Sequence, residues 1–183
     1  MSALYNKVFA GLDASLIPLG ELCEIKKGKQ LNGEFLTENG QYYVMNGGLV
    51  PSGYYHAYNT PKDTISISEG GNSCGYVQYN EIPFWSGGHC YTLEELNPMI
   101  SNKFLYHYLK SEELNIMATR IGSGLPNIQK KDLSRFKVKV PSLSTQQRIA
   151  IPMDALDNKM AVETKLLNAL TQQKDYLLRQ MFI

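Results

Sequence analysis

A mixed α/β (α+β) domain of short strands with a loop-rich surface, followed by one long projecting coiled-coil α-helix, is the architecture this sequence predicts. Three observations lead to it. In the last forty residues, apolar side chains fall alternately four and three apart: Ile149, Met153, Leu156, Met160, then Leu167, Leu170, Leu177 and Met181, with Glu163 and Lys174 filling the two remaining positions. That is a 3.5-residue repeat, the period of a coiled-coil seam rather than of a broad globular face. Upstream, short β-branched runs alternate as strands do, among them TISIS (64–68) and FKVKV (136–140). Residues 40–61 are dense in tyrosine and glycine, a composition that presents aromatic rings and amides on loops.

Taken in order, residues 1–18 read as mildly helical and end at Pro18. Residues 19–25 alternate partly and predict a first strand, and KKGKQLNG (26–33) predicts a basic turn. TISIS and GYVQY (75–79) predict two strands joined by EGGNSC as a hairpin. Residues 82–85 and 90–93 continue the run of short strands, residues 102–110 and 113–120 predict helices, and IGSGLPN (121–127) predicts a glycine-proline loop. FKVKV predicts an alternating strand with its lysines outward, and Pro141 leads into the long helix. The expected boundaries are a globular domain over 1–143 and a helical spacer and dimerisation segment over 144–183.

Ser144 and Gln147 have the spacing of a capping box, which would satisfy the helix's first amides. At 1.5 Å per residue, residues 145–181 would span roughly 55 Å. No second helix of comparable length is predicted to cover the seam, so the expected partner is another chain. The expected dimerisation residues are Met153, Leu156, Met160, Leu167, Leu170, Leu177 and Met181. Pro152 removes one amide and crowds the preceding turn, so the continuous part is expected from about Met153. Glu163 and Lys174 weaken the seam but fix register or orientation, and in an antiparallel pair each can face a complementary charge.

Eighteen basic and seventeen acidic residues leave a net charge of +1, so the chain as a whole is not a basic coat for nucleic acid. The distribution is uneven. Arg120, Lys130, Lys131, Arg135, Lys137 and Lys139 stand against Asp132 alone, and Lys26, Lys27 and Lys29 form a second group. Such patches suffice for phosphate contacts, and they also occur as solvated faces. Three cysteines, Cys23, Cys74 and Cys90, make no disulfide framework, and an odd count without a signal-peptide pattern predicts a reducing cytoplasm. No stretch has the length and apolarity of a membrane span.

Catalytic motifs are not found. Cys74, His89 and Cys90 have poor spacing for a tetrahedral metal site, and a Cys-His nucleophile pair is no better supported. Gly70-Gly71 and Gly87-Gly88 lack the Gly-Lys-Ser/Thr continuation of a phosphate loop. There is no Asn-Pro-Pro-aromatic run, no glycine-rich AdoMet loop and no nuclease signature. The expectation is a reader rather than a catalyst, without cofactor or metal.

Four segments together carry a resemblance: LGELCEIKKGK (19–29), TISISEGGNSCGYVQYNEIPFW (64–85), GSGLPNIQKKDL (122–133), and FKVKVPSLSTQQRI (136–149) running into the long helix. In order and spacing they resemble the target-recognition domain and following helical spacer of type I restriction-modification specificity subunits. The resemblance implies a non-catalytic subunit that binds double-stranded DNA, docks onto AdoMet-dependent adenine methyltransferase (modification) subunits, and reaches a restriction subunit through them. The usual member has two recognition domains and two long, antiparallel helices; this sequence has one of each. It resembles a half-subunit, expected to act as a homodimer on an interrupted palindrome. Pairing with a different half, a silent truncated fragment and a coiled-coil adaptor without DNA function are the alternatives.

DNA specificity needs side chains on base edges and cations or amides on phosphates. Lys26, Lys27, Lys29, Lys130 and Lys131 are the candidate phosphate contacts. Gln30, Asn46, Ser52, Asn59, Asn72, Ser73 and Asn127 are the candidate loop contacts to bases or sugars. Tyr54 and Tyr55 are the candidate stacking residues. Asn and Ser also form turns for conformational reasons, so each of these positions has a structural reading beside the functional one.

Overall fold

The computed structural model describes residues 2–122 and 126–181. At its centre is an antiparallel four-stranded sheet. Its strands are β2 (Glu24–Lys27), β8 (Cys90–Glu94), β5 (Thr64–Ser68) and β6 (Val77–Asn80), in that spatial order. A smaller sheet joins β4 (Gly53–Tyr55), β3 (Tyr42–Met45) and β7 (Trp85–Ser86), with β3 and β7 parallel. A two-stranded ribbon pairs β1 (Ser15–Pro18) with β9 (Lys137–Val140). The mixed α+β class holds, with antiparallel pairing predominant.

All five residues of β5 are buried, although its alternation suggests one solvated face. Ile65 and Ile67 enter the main core; Ser68 on the other side donates to the Gly47 carbonyl, and Ser66 accepts from the Asn80 amide. A strand covered on both sides keeps small hydroxyls where they can be hydrogen-bonded. The core packs this sheet against α1 (Ser2–Ala10), α3 (Asn102–Ser111), α4 (Glu113–Ala118) and α5 (Lys130–Arg135). Phe9 packs edge-on against Phe104 and Tyr108, with ring centroids at 5.9 and 5.5 Å.

Several elements differ from expectation. The first helix ends at Ala10, and residues 15–18 form the ribbon strand. Residues 19–22 are a helical turn, α2 (Leu19–Leu22), not a strand: Leu19 and Leu22, three apart, both bury, and the Leu19 amide bonds the Phe136 carbonyl. The strand starts at Glu24, so Lys26 and Lys27 lie in β2 rather than in a turn. Of the strand expected over 82–85, Trp85 alone belongs to one. Helix α5 has no counterpart in the sequence expectation; it is six residues long with one buried residue, Leu133, too short for a periodic signal. The glycine-proline loop expected over 121–127 falls partly, at 123–125, outside the described residues.

The long helix, α6, runs Leu143–Met181 without interruption at Pro152. Its N-cap is Ser142, whose hydroxyl accepts from the Thr145 amide at 3.4 Å, two residues before the expected Ser144 box. Gln146 is fully buried: it accepts from the Ser101 amide at 2.7 Å and donates to the carbonyls of Met99 and Pro141 at 2.8 and 2.9 Å. Ala150 and Met153 follow it into the core. Met153, expected on the dimer seam, is therefore already covered by its own domain. The next residue, Asp154, accepts from Nε2 of the buried His107 at 2.9 Å, and His107 Nδ1 lies 3.0 Å from the Tyr5 hydroxyl. Four helical turns are thus fixed to the domain at their buried face. Every described residue from Asn158 onward is exposed.

Candidate nucleic-acid interface

The antiparallel order brings five connections to one end of the main sheet. They are residues 28–32 after β2, 46–52 after β3, 69–76 after β5, 87–89 before β8 and 126–129 before α5. Cross-bonds hold them together. Ser68 and Ser73 both donate to the Gly47 carbonyl. The Glu69 amide bonds the His89 carbonyl at 2.9 Å, Gly71 bonds Pro126 at 3.0 Å, and the Ile128 amide bonds Glu69 at 2.8 Å. Gly47 needs its lack of a side chain: its φ is +83°, and a Cβ there would lie 2.5 Å from the His89 carbonyl oxygen.

Lys27, Gln30, Asn46, Ser52, Asn72, Ser73, Asn127, Lys130 and Lys131 all lie on or beside these loops. Asn72, Asn127, Lys130 and Lys131 are exposed, as are Gln30 and Ser52. Asn46 is half-buried, and its Oδ1 accepts from the His89 amide at 3.3 Å. Ser73 spends its hydroxyl on Gly47 and acts as a loop fastener. Lys29 follows Lys27 into the same end, with its carbonyl accepting from Trp85 Nε1 at 2.9 Å.

Three candidates are placed otherwise. Lys26 points to the opposite side of β2 from Lys27 and pairs with Glu94 at 2.9 Å and Glu24 at 3.3 Å. Its ammonium is held protonated by hydrogen bonds to those carboxylates, and its charge is matched within the chain. Asn59 uses both ends of its amide on β7, donating to the Ser86 carbonyl at 3.0 Å and accepting from the Ser86 amide at 2.7 Å. It is a strap between segments, not a free reader. Tyr54 and Tyr55 sit on alternate faces of β4, as strand geometry requires. Tyr55 packs edge-on against Trp85 at 5.2 Å, beside the Lys29 loop. Tyr54 instead lines a cleft of about 510 Å³ between the domain and α6, with Tyr43, Tyr79, Tyr106, Glu81, Lys103, Asp154 and Asp157. Burial raises the Asp157 carboxyl above its usual range, with His107 opposing. Three carboxylates against one lysine make that cleft unsuited to a phosphate backbone.

Sequence reasoning missed Glu69, whose side chain is 5% exposed at the centre of the loop cluster. It pairs with Lys27 at 2.6 Å and accepts from the Tyr91 hydroxyl at 2.9 Å. Nothing local in EGGNSC marks its glutamate for burial. The cysteines offer no nucleophile: all three are buried, and burial pushes the Cys90 thiol up to about 11 and Cys23 up to about 12. Among the described residues no three His, Cys, Asp or Glu side chains form a metal-binding group, and no helix is long and apolar enough to cross a membrane.

Replacing Lys130 and Lys131 with Ala tests the interface. Both are exposed, so stability should change little. Affinity for duplexes of any sequence should fall, and the slope of log affinity against log salt should flatten by about 2, near 0.9 for each lost phosphate contact. Fluorescence anisotropy across a salt series reads both effects. Unaltered binding would make these lysines a solvated face.

Residues 13–172 match the family model described as the type I restriction modification DNA specificity domain. A type I specificity subunit of Mycoplasma pneumoniae is 36% identical over 166 residues, 90% of this chain and 44% of that protein. The crystal structure of the type I restriction-modification S subunit from M. genitalium superposes with a TM-score of 0.80 at 31% identity, covering 87% of this chain and 43% of that one. The HsdS subunit from Thermoanaerobacter tengcongensis shares the fold, with a TM-score of 0.63 at 20% identity over 90% of this chain and 44% of that one. The chain spans less than half the length of each of these relatives.

Proposed function

The chain belongs to the type I restriction-modification DNA specificity family, and from that premise we propose that it is a non-catalytic half-reader that directs separate methyltransferase and restriction subunits to a bipartite DNA site as an antiparallel homodimer. The observation that carries the reading is the bare helix. One recognition fold is followed by a rod on which Met160, Leu167, Leu170, Leu177 and Met181 are 44–73% exposed, with no cover among the described residues. Leu156, at the root of the bare stretch, is half-buried.

The seam is self-complementary when read backwards. About a centre between Asn168 and Ala169, Leu167 of one copy opposes Leu170 of the other, and Glu163 opposes Lys174. Met160 then meets Leu177, and Leu156 meets Met181. Each polar residue gains an opposite charge only in this antiparallel arrangement; a parallel pair would set Glu163 on Glu163 and Lys174 on Lys174. A two-fold pair of this kind is a closed assembly. In this register the two helix roots near Asp157 lie about 35 Å apart, close to one DNA turn of roughly 34–36 Å. Two identical domains so related read the same half-site on opposite strands, which makes the target an interrupted palindrome.

The test is reconstitution with type I methyltransferase subunits, followed by mapping of methylated adenines. The expected product is one interrupted palindrome, methylated on both strands, while the purified protein alone transfers no methyl group. An asymmetric site would assign the second half to a different chain. Methylation by a preparation shown free of other proteins would overturn the non-catalytic assignment.

A further inference from the structure

We propose that His89 is a DNA-phosphate contact of this domain, engaged as imidazolium and aimed by the buried carboxylate of Glu69. The proposal rests on the DNA-binding reading above. Its starting point is an orphaned atom. Glu69 Oε1 is fully used by Lys27 and Tyr91, whereas Oε2 is buried with no hydrogen-bond partner. A buried carboxylate oxygen in that state is rare and invites a donor. Facing it is His89 Nδ1, 3.7 Å from Oε2, just beyond hydrogen-bond reach.

The two residues are positioned independently of that gap. The Glu69 amide donates to the His89 carbonyl, and the His89 amide donates to Asn46 Oδ1. The His89 ring is 61% exposed at the loop-bearing end of the sheet, beside the exposed lysines. The gap exceeds hydrogen-bond reach by only about half an ångström. With Nδ1–H donating to Oε2, Nε2 faces outward, and on protonation it becomes a second donor. A carboxylate behind and a phosphate in front both favour the charged ring.

The groups facing this pair are few. Glu69 comes from the end of β5 and Lys27 from the end of β2. Tyr91 comes from β8, its hydroxyl beside the Lys130 backbone at the start of α5. Lys27 offsets part of the Glu69 charge through Oε1, leaving Oε2 as the face presented to His89. The other two histidines lie elsewhere: His56 packs at a tilt beside Tyr55, and His107 is buried under α6.

DNA binding should therefore take up one proton at His89. Affinity for duplex should fall as pH rises, by up to about tenfold per pH unit. The experiment measures anisotropy of a labelled duplex with the full-length protein from pH 5.5 to 8.5, at fixed ionic strength, for the wild type and His89→Gln. His89 is exposed, so the variant should fold. The expected result is a falling affinity in the wild type and a largely flat profile in His89→Gln, with the two converging at high pH, and an equal loss for unrelated sequences at low pH. Parallel profiles in the two proteins would overturn the proposal while leaving the DNA reading intact. A loss confined to one sequence would assign His89 to a base edge and overturn the phosphate assignment. No duplex binding by the wild type at any pH, alone or with the methyltransferase subunits, would overturn both.

Discussion

Replacing Leu167 and Leu170 with Asp is expected to turn a dimer into a monomer while the globular domain stays folded. Both leucines are more than half exposed on the single chain, so the substitutions cost the domain nothing. In the proposed antiparallel pair they face one another at the centre of the seam. Two copies lose four buried leucines, on the order of 6–12 kcal/mol of apolar burial, and bring four carboxylates together. Light scattering should read a halved mass, and the assembled complex should lose site-directed methylation. Orientation has its own control: Glu163→Lys should weaken the dimer, and adding Lys174→Glu should restore it. A dimer that survives the double Asp change would refute the seam. Failure of the second charge swap to rescue the first would refute the antiparallel register.

The second large effect is expected at Gln146. Gln146→Met keeps nearly the same volume but removes one acceptor and two donors from a fully buried site. The Ser101 amide and the carbonyls of Met99 and Pro141 are then left without their partner. Each unpaired buried group costs about 1–3 kcal/mol, so a loss of roughly 3 kcal/mol or more is expected. Urea unfolding should show a lower midpoint with an unchanged slope. The helix root should loosen too, which limited proteolysis near residues 141–146 would detect. An unchanged midpoint would mean that Gln146 fills space without fastening the helix.

These two sites also mark what the sequence makes legible. The long helix was readable because periodicity is local, and so were TISIS, GYVQY and the hairpin between them. Its root was not. Met153 fits the heptad as well as Met160 does, yet tertiary packing takes it into the domain. Ser142 rather than Ser144 caps the helix, and Gln146, four residues on, is bonded to Pro141, Met99 and Ser101. In the candidate interface, the lysines and loop amides were recognisable by type. Their sorting was not: Lys26 and Lys27 are adjacent, and the two-residue pleat sends one to Glu94 and the other to Glu69. Asn59 carries the composition of a reader and the hydrogen bonds of a strap. Glu69 becomes central only because strands distant in sequence end at the same place.

The bare stretch of α6 has a consequence for the life of the protein in a cell. From Asn158 to Met181 no side chain is buried. A helical stretch with no buried side chain draws little from tertiary packing, the main source of helix stability in proteins. In an unpaired copy its amides should exchange with solvent far faster than those of the sheet, and its backbone should be open to cleavage. Pairing removes both liabilities at once. Surplus chains would then be cleared while assembled ones persist, so turnover itself would hold the number of copies to the number of complexes that can use them.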